Sequence, residues 1–357
     1  MLSPREPGAG HMKRHFLALD GLRGVAAVAV MLFHRRWWGP HGHLLDHADL
    51  AVDFFFVLSG FVINHAYADR LSTGLSPLKF TRLRVVRLFP LILVGAILGL
   101  LVGLLLGSSN GTQPASVLVW FLLGAICLPV PRAMAKEPFP INRPTWSLFY
   151  ELVANVIFAL CIVRLSDRVV AMLTALGAAG MLAMLVVLGK VTGGYDFGQL
   201  GWGLVRVAYP FLMGVLLHRL RHRIRVPAMP FWLAALLLLA VFIPGDLGAI
   251  EPWFQGFAVL ILFPLIVLAA HEKEPPRRWL PWVQFSAFIS YPVYALHYPV
   301  LDAMSWLLPR TLLPYRLWLP VSACLCVAIA WAVARFVEPR MRDLFNRMLV
   351  SREVSLA

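Results

Sequence analysis

The chain has 357 residues, 60% of them hydrophobic and only 14% charged, with a mean hydropathy of +0.75. Soluble globular proteins carry nearer 25% charged residues, so the composition excludes that class and indicates a polytopic helical membrane protein. The formal net charge of +14 does not require nucleic acid, because its basic residues cluster between long apolar runs, as the positive-inside rule expects.

The first 15 residues form a polar, basic tail. The stretch that follows, 16–38, carries charges throughout and no small-residue cleavage site, so it is expected to remain as the first span rather than be removed as a signal peptide. Its apolar centre, Gly24 to Phe33, is shorter than the roughly 20 residues a bilayer needs, so its flanking charges lie within the span or at its edges. Arg23 and His34 fall within about 20° of the same helix face and roughly 16 Å apart. Asp20 lies one turn before Arg23, where the two can pair. Ionisable residues at bilayer depth are costly and point to function, although arginines near helix ends also snorkel to the interface.

Further apolar segments follow at about 48–67, 88–107, 115–131, 146–164, 169–189, 203–218, 230–243, 252–270, 282–300 and 316–336. The segment 115–131 is short and ends in two prolines. If it does not cross, 22 lysines and arginines fall inside and 8 outside; if it crosses, the balance becomes 14 against 16. The first arrangement obeys the positive-inside rule. We therefore expect an all-α transmembrane bundle of about 10 spans, both termini cytoplasmic, with 115–131 as a re-entrant or interfacial piece on the outer side. The membrane domain is read as 16–340, between a cytoplasmic N-terminal tail at 1–15 and a cytoplasmic C-terminal tail at 341–357.

This topology gathers polar side chains in the outer half. His34 ends span one, and Asp53 opens span two, where it could equally cap its helix. Ser147, Glu151 and Asn155 share a face below Trp146, while Ser290, Tyr294 and His297 form another stripe. Arg206 enters its span from the same side. Each also has a structural reading, Glu151 as an interhelical clamp and His297 as a satisfied core histidine. On the inner side, Arg84 and Arg87 lie on adjacent turns ahead of a span, a spacing suited to phosphate as well as to topology anchoring. The four cysteines lack metal-ligand or C-x-x-C spacing, and His41, His43 and His47 fit no standard site, so no metal is expected.

These stretches resemble the membrane acyltransferase-3 family. The motifs are LDGLRGVAAVAVMLFH, with Arg23 and His34; VDFFFVLSGFVI at 52–63; RLRVVRLFP at 82–90; PTWSLFYEL at 144–152; SYPVYALHYPV at 290–300; and FVEPR at 336–340. They run in the family's order over most of the chain. The resemblance implies transfer of an acyl group, foremost acetyl, from acyl-CoA to a hydroxyl of a glycan or glycosylated small molecule. It implies His34 as the catalytic histidine, Arg23 as its motif partner, and Arg84 and Arg87 as the essential arginines.

On this reading His34 is a general base, and Glu151 or Asp53 orients its ring. Arg23, Arg84 and Arg87 hold the CoA end, while Trp146, Ser147, Arg206 and His297 line the substrate site. The alternative is a proton-coupled secondary transporter using His34, Glu151 and His297 as a relay. The lack of an internal repeat and of matched broken helices speaks against it.

Overall fold

The computed structural model describes residues 16–34, 45–107 and 113–350. Among these residues it is all-helical. The helices are α1 (Leu17–Phe33), α2 (Ala51–Ser72), α3 (Pro77–Gly107), α4 (Pro114–Ala125), α5 (Thr145–Leu160), α6 (Asp167–Leu188) and α7 (Leu200–Leu220). They continue as α8 (Phe231–Phe242), α9 (Glu251–Phe257), α10 (Phe263–Ala270), α11 (Leu280–Leu307), α12 (Trp318–Ala332) and α13 (Glu338–Leu349). A π-helical turn, Ala258–Leu262, joins α9 to α10, and another, Val333–Val337, joins α12 to α13. Local signals set several ends: Ser166 accepts from the Val169 amide at the start of α6, and Gly189 closes that helix in the left-handed conformation.

Six of the described helical stretches are long and apolar enough to cross a bilayer. Large apolar side chains such as Met172, Leu176 and Val186 of α6 point outward, where lipid rather than water can solvate them. The inner core is built from Leu22, Phe54, Phe61, Phe242 and Phe263, all fully buried.

Pair contacts give the relative direction of the helices. Along α1 and α11, Gly21 meets Val283, Arg23 meets Ser290 and His34 meets His297, so the two run parallel. Along α2 and α7, Asp53 meets Arg206 and Asn64 meets His218, again parallel. Between α3 and α5, Arg84 meets Glu151 while Gly99 meets Ile141 just before α5, so these run antiparallel. The chain therefore runs in opposite directions in α3 and α5, with α4 between them in sequence. With 12 residues, α4 spans about 18 Å, less than the ~30 Å hydrocarbon core.

Residues 341–349, expected as part of a tail, continue as helix α13, which packs against α3.

Candidate active site

Two glycines bring the polar groups of α1 and α11 together. A Cβ on Gly24 would stand 1.9 Å from Ser286 Oγ and 2.4 Å from its carbonyl oxygen, so only glycine lets the backbones approach this closely. The Ser286 hydroxyl donates to the Gly21 carbonyl at 3.0 Å and locks the contact. From that packed seam, Arg23 and His34 project at opposite ends of α1.

At the Arg23 end lies a cavity of about 110 Å³. Asp20, Arg23, Ser59, Arg84, Arg87, Ser147, Glu151, Ser290 and Tyr294 supply its polar lining, amid apolar walls from α1, α2, α3 and α5. Arg23 Nε donates to Ser290 Oγ at 3.0 Å, and its terminal nitrogen pairs with Asp20 at 3.3 Å. Arg84 donates to Glu151 Oε1 at 2.9 Å, and Ser59 donates to the same oxygen at 3.1 Å. Arg84 Nε is buried and has no partner among the described residues. Arg87 is exposed, and no ion pair to it occurs among the described residues. The two arginines read together from the sequence thus differ: one guanidinium neutralises Glu151, the other is available to an anion. Arg23, Arg87 and Tyr291 also border a wider groove of about 710 Å³, lined as well by Glu338, Arg342 and Asn346 of α13.

Deeper in the cavity, Ser147 and Tyr294 share a hydrogen bond, and Ser147 also reaches the Pro144 carbonyl at 3.0 Å. Tyr294 lies one turn before His297, their rings 6.0 Å apart. His297 is buried, and its Nε2 stands 3.2 Å from Nδ1 of His34. Tyr298 meets the His34 ring edge-on at 5.6 Å. The cavity therefore runs from the arginines to Tyr294, one helical turn before His297, and the His34–His297 pair lies beyond its lining.

Asp53 lies elsewhere. Its carboxylate takes a fork from Arg206, with Nε 3.1 Å from both oxygens and a terminal nitrogen at 2.8 Å. Arg206 also donates to the Asp49 carbonyl at 3.0 Å and lies 5.2 Å over the Trp146 ring. Asp53, Arg206 and Trp146 thus clamp α2, α7 and α5. Both carboxylates expected beside His34 engage arginines, and among the described residues the His34 ring meets His297 and Tyr298. Asn155 is buried, and its side-chain amide has no hydrogen-bond partner among the described residues. His47 bridges Glu251 at 2.7 Å and the Pro244 carbonyl at 2.9 Å, tying the chain before α2 to that before α9. His41 and His43 lie outside the described residues, and among the described ones no three potential ligands converge on a metal position.

Sequence reasoning did not single out Ser59, Tyr291 or Tyr294 as site residues. Ser59 gives a faint signal, a hydroxyl beside Gly60 in an otherwise apolar run. Tyr294 stands in the α11 stripe, yet only the meeting of α5 with α11 shows that it faces Ser147.

The described residues thus form an all-helical bundle with apolar helices long enough to cross a bilayer and charged side chains around an interior cavity, the architecture of a membrane protein. A family profile described as "Acyltransferase domain" matches residues 16–335, nearly the whole chain. The chain belongs to the acyltransferase-3 family, and it is a membrane acyltransferase. A curated relative, "Protein 2 in picA locus" from Rhizobium radiobacter, is 34% identical over 156 residues, covering 40% of this chain and 81% of the relative. No solved structure matches the chain.

Proposed function

We propose that this protein is an O-acyltransferase that moves an acyl group, foremost acetyl, from acyl-CoA to a hydroxyl of a glycan or glycosylated small molecule. The observation that carries the proposal is the cavity itself, which Arg23, Arg87, Ser147 and Tyr294 line, with Tyr294 one turn before His297 of the His34–His297 pair. The nucleotide phosphates of CoA suit the exposed Arg87 and the half-buried Arg23, since guanidinium forks match phosphate oxygens. The pantetheine arm then lies along the apolar walls with its thioester towards the histidines.

A sugar hydroxyl is a weak nucleophile at neutral pH and needs a positioned base, a task suited to an imidazole. His34 takes the hydroxyl proton as the oxygen attacks the thioester carbonyl. The tetrahedral intermediate collapses to the ester, and the departing CoA thiolate recovers a proton from the imidazolium. Arg84 and Glu151 neutralise each other beside the path and hold α3 to α5, while Arg206, Asp53 and Trp146 fix the helices around the histidine end.

The positive-inside count supports cytoplasmic termini, hence donor entry at the Arg23 end from the cytoplasm and acceptor access at the histidine end. The test uses full-length protein in lipid nanodiscs with acetyl-CoA as donor and methyl glucoside as a surrogate acceptor. Release of CoA with formation of acetylated glucoside is expected. Binding without CoA release, or pH-driven uptake in liposomes without chemistry, would overturn the proposal. Mass spectrometry of surface glycans with and without the protein then identifies the natural acceptor.

A further inference from the structure

A hydrogen bond between two imidazoles needs an N–H on one ring and a lone pair on the other, and here the surroundings decide which is which. His297 Nδ1 lies 3.0 Å from the Val293 carbonyl oxygen and 2.9 Å from that of Tyr294. Carbonyl oxygens only accept, so His297 carries a proton on Nδ1. In the neutral ring its Nε2 is then a lone-pair nitrogen, and this atom faces His34 Nδ1 at 3.2 Å. A doubly protonated His297 would turn an N–H towards His34 and force His34 Nδ1 to give up its own proton and its 2.9 Å bond to the Val30 carbonyl. With His297 neutral, His34 Nδ1 donates towards two acceptors, and every atom in the chain is matched. The remaining nitrogen of His34, Nε2, holds the lone pair.

We propose that His297 is a positioning residue: together with the Val30 carbonyl it holds the Nδ1–H of His34 and so presents the Nε2 lone pair as the base. The inference rests on the reading of His34 as general base. The proton balance is simple. Nε2 takes the hydroxyl proton, Nδ1–H stays in place between Val30 O and His297 Nε2, and Nε2–H is returned to the thiolate; no proton passes to His297. The second ring thus does the orienting that a carboxylate does in many hydrolases, without bringing a negative charge next to the base. Gly24 makes this possible from a distance, because the α1–α11 seam it permits sets the separation of the two rings. Among the described residues α11 brings two titratable side chains against the His34 ring, His297 and Tyr298.

The test compares His297→Leu, His297→Gln and His34→Asn in the full-length protein in nanodiscs, with acetyl-CoA and methyl glucoside. His297→Leu removes one of the two acceptors of His34 Nδ1–H and leaves the ring held by the Val30 carbonyl alone, so kcat is expected to fall by about 10-fold or more, part of what a positioned base supplies, with the acetyl-CoA KM unchanged. The acid limb of its pH profile is expected to move to lower pH, because the imidazolium of His34 has lost an acceptor. His297→Gln, whose amide oxygen can reach the place of Nε2, is expected to recover most of the rate and the limb.

Wild-type rate and limb in His297→Leu, or equal losses in Leu and Gln with an unmoved limb, overturn the positioning role. If His34→Asn is inactive in the same series, the base reading survives that failure; if His34→Asn turns over normally, both fall. Nitrogen NMR of histidine-labelled protein reads the tautomer without activity. A proton on His34 Nδ1, coupled across the hydrogen bond to His297 Nε2, is expected, and a proton on His34 Nε2 in the neutral ring overturns the proposal.

Discussion

His34→Asn is the sharpest change at the scale of single residues. It keeps some hydrogen bonding while removing the titrating ring, so activity is expected to fall by about 10² to 10⁴-fold, the usual contribution of a general base. The check is CoA release at saturating donor, together with a size-exclusion profile showing intact protein. Activity of the native protein should decline as the medium is made acidic. The base must be neutral to accept a proton, so the loss lies on the acid side. Arg84 and Arg87 provide a second contrast. Arg87→Ala removes an exposed cation with no ion pair among the described residues and should weaken acetyl-CoA binding by about 1.5 to 3 kcal/mol, the worth of a hydrogen bond to a charged group, without loss of stability. Arg84→Ala instead leaves the Glu151 carboxylate inside the bundle without its cation, so lowered thermal stability is expected alongside any effect on binding. Calorimetric titration and thermal melts of the two variants separate these outcomes.

Between elements, the decisive contacts are the glycine seam of α1 and α11 and the clamp joining α2, α5 and α7. Gly24→Val pushes α1 away from Ser286 and should abolish activity even though no polar group is removed, because it displaces His34 from His297 and Arg23 from Ser290 together. A mutant that inserts normally and turns over at the native rate would show that the seam does not set the site. The Arg206–Asp53 pair is buried on both sides, so removing one partner leaves an uncompensated charge at a cost of about 3 to 5 kcal/mol. Asp53→Leu and Arg206→Met are therefore each expected to lower stability strongly, while the double variant loses much less than their sum. Thermal unfolding of the four proteins in the cycle measures this coupling.

For the whole molecule, the parallel course of α1 with α11 and of α2 with α7 constrains which connections share a side. Accessibility labels near Arg168 and near Arg221 should report the same face of the membrane, since Arg219 reaches both the Leu165 carbonyl and Asp167. A label near Asp246 should report the opposite face, where His47 holds the Pro244 carbonyl. The positive-inside balance further expects the Arg168 and Arg221 face to be cytoplasmic. Labels at Arg168 and Arg221 on different faces would contradict the packing. Labels on a shared but exterior face would contradict only the charge reading.

The class of molecule was legible in the residues alone, since eleven apolar segments with so few charges do not suit a soluble fold, and each of the eleven contains helix among the described residues. The sequence also marked Arg23, His34, Arg84, Glu151, Arg206 and His297, because ionisable groups in apolar runs are expensive wherever the helices end up. The partners could not be read in the same way. Hydropathy gives a residue's depth and helical periodicity its face, but neither says which of many helices lies opposite. That choice rests on close backbone approaches such as Gly24 on Ser286, whose partners lie far apart in the chain. Only the tertiary structure, therefore, assigned Glu151 to Arg84, Asp53 to Arg206 and His297 to His34, and turned a scatter of costly charges into two clamps and a pair of rings.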